Sequence, residues 1–203
     1  MCLRELLDPD RPDGLRHLLS RFRPSTYADV GALLRRTRMV GGEQVDRVLT
    51  EYADFAHHDL PPHEVAAALQ AFGVAVSAHG DDVDDLEENY ADLLAAAAAL
   101  TDGAVTVTDV RLRADEECDE VLEFARNGVL VTQPTEHRSD DYLDHAAVAD
   151  FFGHLDPDPG VDPRRFHLVR FVRLGDVNHE TTFVFATPEQ ARLLERELGL
   201  ELR

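Results

Sequence analysis

The chain has 203 residues, 44% of them hydrophobic, and a formal net charge of −20 at pH 7. This surplus of carboxylates argues against duplex nucleic acid or anionic lipid as a ligand, because both require cations that neutralise phosphate. All 20 basic residues are Arg, and Lys, Ile and Trp do not occur, which indicates a GC-rich, bacterial type of coding background. Coding bias can therefore account for part of the acidity.

Neither the cysteines nor the N-terminal residues indicate export. Cys2 and Cys118 make no disulfide framework, and the five carboxylates around Cys118 disfavour its thiolate. The first residues lack the apolar run and cleavage site of a signal peptide, and no segment approaches the roughly 20 apolar residues of a membrane span. We expect a reduced, cytoplasmic protein without membrane association.

The first hundred residues carry apolar side chains at spacings of three and four, the period of one helical face. Proline at 61 and 62 suits the opening of a helix, since the first turn does not need its missing N–H. In this interpretation Val76 ends the apolar face of that helix. Five helices are predicted. The first spans 13–23, and the second runs from Ser25 or Thr26 to a stop at Gly41-Gly42. The third spans 43–58, the fourth begins at Pro61-Pro62, and the fifth spans about 84–100.

Residues 77–93 contain seven acids and no basic residue. The acids at 81, 82, 84 and 85 fall in the cap and first turn of the last of these helices, where carboxylates bind free N–H groups and oppose the helix dipole. A calcium loop fits poorly, because no glycine stands at the sixth loop position and the alternation of ligands breaks at Leu86. A helix start is the simplest interpretation, and it is compatible with a surface that faces a partner.

The basic residues are distributed unevenly. Residues 1–48 hold nine Arg and seven acids, whereas residues 49–110 hold 13 acids and no Arg. A coding bias that enriches Arg does not explain so long a segment without it. The contrast predicts one strongly negative surface, although a solvated face that aids solubility remains the alternative. The candidate partner-binding residues are Asp81, Asp82, Asp84, Asp85, Glu87 and Glu88.

The second half changes to the alternating period of strands. A strand is predicted over 104–113, and Asn127-Gly128 between two β-rich runs is typical of a type I′ hairpin. Three antiparallel strands in a meander result.

A helix follows, capped by Ser139 or Asp140 and containing Tyr142 and Phe152. A second hairpin turns at 175–178, and its strands are apolar on both faces, which places them near the centre of a sheet. Thr187 and Pro188 then begin a final helix that ends before Gly199.

These elements predict an α+β protein: an N-terminal all-α bundle over residues 1–102, and over 103–203 a five-stranded, mainly antiparallel sheet in the order βββ-α-ββ-α. Helices are expected on one face of this sheet. The boundary is placed at 101–103, where Thr-Asp-Gly interrupts the helical pattern.

Catalytic signals are few. The chain contains no glycine-rich dinucleotide motif, P-loop or serine-hydrolase elbow, so no cofactor is expected. Glu136, His137 and Asp141 stand where a strand meets a helix, and a carboxylate–imidazole pair there could act in acid–base catalysis. The simpler interpretation is a polar loop before a capped helix.

Two other histidine groups stand out. Zinc could use two histidines and a carboxylate from His57, His58, Asp59, His63 and Glu64, but neighbouring histidines on a helix point to different sides. His167 and His179 lie on the two strands of the second hairpin, where cross-strand polar pairs are common.

The leading hypothesis is a non-catalytic interaction protein, of the immunity or inhibitor type, whose negative surface binds a basic protein partner. Complementary charge speeds encounter and selects partners. One alternative is a small metal-assisted hydrolase that uses His58, His63 or His137. Another is a structural domain that forms a homo-oligomer.

Overall fold

The structure is a computed structural model that describes residues 25–79, 83–114, 120–137, 141–170 and 181–203. Three predictions fall outside these residues: the helix over 13–23, the helix cap at Ser139 or Asp140, and the turn at 175–178. So do Asp81 and Asp82 of the acidic stretch.

Helices and antiparallel strands both occur along the described chain, which confirms the α+β class. None of the described helices combines the length and the apolar content needed to cross a membrane. The elements are α1 Tyr27–Arg36, α2 Gly42–Glu51, α3 Pro62–Ala71, β1 Ala75–Ala78, α4 Leu86–Leu100, β2 Val107–Ala114, β3 Glu120–Arg126, β4 Val129–Thr135, α5 His145–Phe152, a 3-10 turn Gly153–Leu155, β5 Arg165–Arg170, β6 Thr181–Ala186, α6 Pro188–Leu198 and β7 Glu201–Leu202.

Several helix ends lie where local side-chain chemistry predicts them. Thr26 caps α1, and Pro61 is the N-cap of α3. At α6, Thr187 Oγ1 accepts the N–H of Gln190 at 3.2 Å, and Gln190 Oε1 accepts the N–H of Thr187 at 2.9 Å. Gly199 ends α6 with a φ of 68°, a conformation that glycine adopts without strain.

Replacing Thr187 by Ala is expected to lower the free energy of unfolding by about 1 kcal/mol, because it removes one side of this reciprocal cap. Thr187→Ser keeps the hydroxyl and should stay close to the parent protein. Urea unfolding of the parent protein and both variants measures the effect. A Thr187→Ala variant as stable as the parent protein would show that the cap contributes nothing.

Three helix predictions need correction. The helix predicted over 43–58 ends at Glu51, and the residues that follow it form turns. Gly41 does not stop the preceding helix, which ends at Arg36; it is the N-cap of α2. The helix expected to contain Tyr142 starts only at His145, because the Asp144 side chain accepts the N–H groups of Ala146 and Ala147.

The helix opened by Pro61-Pro62 is shorter than predicted, and Val76 lies in a strand. Gly73 takes a φ of 71° after the end of α3, and the N–H of Val74 turns back to the carbonyl of Leu69 at 3.1 Å. The following residues pair antiparallel with β6, with Val76 opposite Phe183. The apolar period that suggested a longer helix thus includes a strand that needs a distant partner.

Two antiparallel sheets replace the single five-stranded sheet of the prediction. The first has the order β1-β6-β5-β7, and the second is the predicted meander β2-β3-β4. The hairpin at Asn127-Gly128 is confirmed, with φ values of 50° and 77° and Arg126 opposite Val129. β5 and β6 are central in their sheet, as predicted, but β6 pairs with β1 from the first half of the chain. The prediction of an all-α bundle over residues 1–102 is therefore wrong, because this segment contributes a strand to the four-stranded sheet.

The four-stranded sheet carries a hydrophobic cluster on each face. Ala75 and Val184 belong to the cluster that includes residues of α1, α2, α3 and α6, whereas Phe183 belongs to the cluster with α4, α5 and the meander. Successive strand residues point to opposite faces, so neighbours in β6 enter different clusters. Helices therefore cover both faces, which corrects the one-sided arrangement. Each cluster contains residues from both sides of the predicted boundary at 102. The division of the chain into two domains, 1–102 and 103–203, remains a prediction.

Candidate functional site

The acidic stretch does begin a helix. Asp85 is the N-cap of α4, and its Oδ1 accepts the N–H of Glu88 at 3.0 Å. Asp84, Asp85 and Glu88 are exposed. The cap satisfies one of the free N–H groups of the first turn, and the added negative charge opposes the helix dipole.

Asp85, Glu88 and Asp92 share one side of α4, because their spacings of three and four bring side chains together on a helix. All three are exposed and, within the described residues, none forms an ion pair. We call these three residues the α4 acidic stripe. The same side of the helix continues with small exposed residues: Ala95, Ala96 and Ala99.

Two acids of the Arg-free segment are neutralised by arginines that follow it. Glu87 Oε1 lies 3.5 Å from Arg111 Nη1, and Glu87 Oε2 accepts the N–H of Leu112 at 2.8 Å. Asp102 pairs with Arg164 at 2.9 Å. Glu87, a predicted partner-binding residue, therefore connects α4 to β2 and already has a cationic partner within the chain.

An apolar groove borders the α4 acidic stripe. It lies between β1 and α4, has a volume of about 210 Å³, and includes Asp92 at its rim. A carboxylate beside an apolar recess suits a ligand that carries a cation next to an apolar side chain. Its apolar lining is contributed by Val76, Ala78, Val83, Leu93, Ala96 and Leu143, and the polar residues Ser77, His79 and Asn89 complete it.

His137 lies inside the protein, in a chain of hydrogen bonds. Only 2% of its side chain is exposed. Its Nδ1 lies 2.6 Å from Glu120 Oε2, and its Nε2 lies 2.8 Å from the hydroxyl of Tyr90, a fully buried residue. The Tyr90 oxygen also accepts the N–H of Asp144 at 2.9 Å.

One arrangement of protons satisfies all the groups in these contacts. With its oxygen accepting from Asp144, the Tyr90 hydroxyl satisfies every partner by donating to His137 Nε2. His137 Nδ1 then carries the proton and donates to Glu120. Burial raises the pKa of Tyr90 well above its ordinary value and keeps the phenol protonated.

Asp144 extends the network to the start of α5. Its Oδ1 accepts the N–H groups of Ala146 and Ala147 at 2.8 and 3.2 Å, and its Oδ2 accepts the N–H of Glu136 at 2.9 Å. The network thus connects β3, α4, the end of β4 and α5. Because Tyr90 is fully buried and the His137 side chain is almost fully buried, the hydrogen-bond network holds these elements together inside the protein.

The two ring nitrogens of His137 face partners other than Glu136 and Asp141, with which the sequence grouped it. Glu136 is exposed and engages Asp144 through its backbone, while the carbonyl of Asp141 accepts the N–H of Val83 at 2.8 Å. His137 binds Glu120 and Tyr90 instead, residues 17 and 47 positions away. No local pattern marks such partners, so sequence reasoning missed them.

The other histidines are engaged separately. His63 Nε2 lies 3.9 Å from Glu64, His58 packs edge-on against Phe55, and His167 Nε2 donates to the carbonyl of Ala186 at 3.3 Å. His179 lies outside the described ranges. Over those ranges, no group of three or more His, Cys, Asp or Glu residues is arranged to hold a metal ion.

Comparison with protein-family models, with curated proteins and with solved structures gave no match.

Proposed function

We propose that this is a non-catalytic, cytoplasmic interaction protein that binds a basic protein partner through the α4 acidic stripe. The observation that carries the proposal is the exposure of Asp85, Glu88 and Asp92 on one helix face without an ion pair in the described structure. An immunity protein or inhibitor that blocks a cationic effector would work in this way.

The net charge of −20 acts at longer range than the stripe. At about 0.1 M salt, charges are felt over roughly 10 Å, so a negative protein attracts a basic partner before contact and raises the association rate. Each exposed ion pair then adds only about 0.2–1 kcal/mol. Specific affinity therefore requires apolar contact as well, and the groove beside Asp92 supplies a place for it.

The test uses an amphipathic helical peptide with Arg on one face and Leu on the other. The variant Asp85→Asn, Glu88→Gln, Asp92→Asn removes the stripe's charge, and Asn at 85 still caps the helix. Loss of three pairs should weaken peptide binding by about tenfold at low salt, equivalent to about 1.4 kcal/mol. Fluorescence anisotropy measures the dissociation constant.

A control variant removes the same charge elsewhere: Glu51→Gln, Asp54→Asn, Asp59→Asn, three exposed acids outside the stripe. It should change the dissociation constant by less than about twofold, since only long-range attraction is reduced. Equal losses in both variants would mean that binding follows net charge and would contradict the assignment to α4. Unchanged binding in the stripe variant would contradict it as well.

A further inference from the structure

β4 is a seven-residue strand at one edge of the meander sheet. We infer that it pairs antiparallel with β4 of a second copy of this chain, so that two three-stranded sheets join into one across a two-fold axis. This inference is independent of the proposed function. An edge strand with free N–H and C=O groups is a template for another strand, and proteins usually block such edges.

The opposite edge of the same sheet is blocked. β2 carries a register shift between Thr108 and Arg111, Asp109 adopts a φ of 57°, and the N–H of Leu112 is occupied by Glu87. A bulge, charged residues and a side chain that binds the outward N–H all hinder strand addition. In the four-stranded sheet, the edge strands β1 and β7 have only four and two residues.

β4 lacks this protection over most of its length. Its sequence, VLVTQPT, has no charged residue in a chain of which 30% is charged. Val129 and Leu130 are 67% and 66% exposed, among the most exposed large hydrophobic side chains of the described protein. Two copies that each carry −20 repel one another, and an uncharged strand lets them meet where that repulsion is smallest.

The hairpin determines which backbone groups are free. Arg126 and Val129 close a two-residue turn and form a hydrogen-bonded pair. Hydrogen-bonded and non-bonded pairs alternate along an antiparallel ladder, so the backbone groups of Leu130, Thr132 and Pro134 point away from β3. Leu130 and Thr132 retain N–H donors on the open edge, whereas Pro134 has none.

This pattern selects one register. If Val131 lies on the two-fold axis, Leu130 of each copy is opposite Thr132 of the other, and all four free donors find carbonyl acceptors. A register centred on Thr132 would place Leu130 opposite Pro134, whose carbonyl accepts the Leu130 N–H but which has no N–H for the Leu130 carbonyl, so that carbonyl would stay unpaired in each copy. We therefore assign the interface to the register centred on Val131.

The first test replaces Thr132 by Pro. The ladder to β3 should survive, because the N–H of Thr132 faces outward and Pro134 already occupies an equivalent position. Sedimentation equilibrium of the 22.6 kDa chain should show reversible dimers of the parent protein at high concentration, favoured by added salt that screens the repulsion. Thr132→Pro should raise the dimer dissociation constant at least tenfold, since two intermolecular hydrogen bonds are lost.

The matched control is Thr132→Val, which keeps the N–H donor and should dimerise like the parent. Circular dichroism and thermal unfolding confirm that both variants remain folded. A parent protein that stays monomeric at several hundred micromolar would overturn the inference. So would equal dimerisation of a folded Thr132→Pro variant.

A second test fixes the register by disulfide formation, with Cys2 and Cys118 replaced by Ser. In the assigned register the Val131 positions of the two copies form a non-hydrogen-bonded pair, with Cα atoms about 4.5 Å apart, within reach of a disulfide. Val131→Cys should cross-link under mild oxidation much faster than Leu130→Cys, whose equivalent positions lie farther apart. Faster cross-linking of Leu130→Cys would contradict the register.

Discussion

Replacing Phe152 by Ala is expected to lower the free energy of unfolding by about 3–5 kcal/mol. Phe152, at the end of α5, is 1% exposed, and its ring stacks on that of Phe183 in β6 with centroids 3.7 Å apart. It also meets Phe151 and, edge-on, Phe166 in β5. Truncation leaves a cavity between α5 and the four-stranded sheet, and the loss is a large part of a typical domain's stability.

Urea unfolding with a matched control measures this effect. Phe55 is 57% exposed, so Phe55→Ala should change stability by no more than about 0.5 kcal/mol. A loss below about 1 kcal/mol for Phe152→Ala would show that α5 does not pack on the sheet as described.

Replacing Tyr90 by Phe is expected to cost about 1–3 kcal/mol, although the ring and its packing are retained. The change removes only the hydroxyl that joins His137 Nε2 to the N–H of Asp144, and it leaves both groups without this partner inside the protein. Thermal or chemical unfolding at neutral pH measures the difference. A variant as stable as the parent would mean that water or another group replaces the hydroxyl.

The pH dependence provides an independent check. Burial raises the pKa of Tyr90 in the folded state, so above about pH 10 the unfolded chain loses the phenolic proton before the folded chain does. The unfolded state then binds fewer protons, and stability that is present below this pH is lost as pH rises. Tyr90→Phe lacks this dependence, so the stability gap between the two proteins should narrow between about pH 9 and pH 11.

Tyr27, whose pKa is also raised by burial, is present in both proteins and cancels in the comparison. A gap that stays constant over this pH interval would contradict the description of Tyr90 as a buried neutral phenol.

Local chemistry was readable from the sequence. Thr187 caps the final helix as predicted, α1 begins next to the predicted start at Ser25 or Thr26, and Asn127-Gly128 forms the predicted hairpin. Each of these signals acts between residues only a few positions apart. The acids at 81, 82, 84 and 85 were predicted for the cap and first turn of α4, and one of them, Asp85, is the N-cap. Asp84 and Glu88 on either side of it are exposed, and their role in binding remains a proposal.

The tertiary structure decided where these elements go. β1 exists as a strand because β6, more than 100 residues later, pairs with it, and the short apolar run over 74–76 fits either a helix or a strand in isolation. His137 finds Glu120 and Tyr90 only after β3, α4 and α5 have packed together. The sequence thus determined caps, turns and charge, whose causes are local. Sheet partners, buried networks and neutralised acids depend on contacts between distant residues, which only the folded chain brings together.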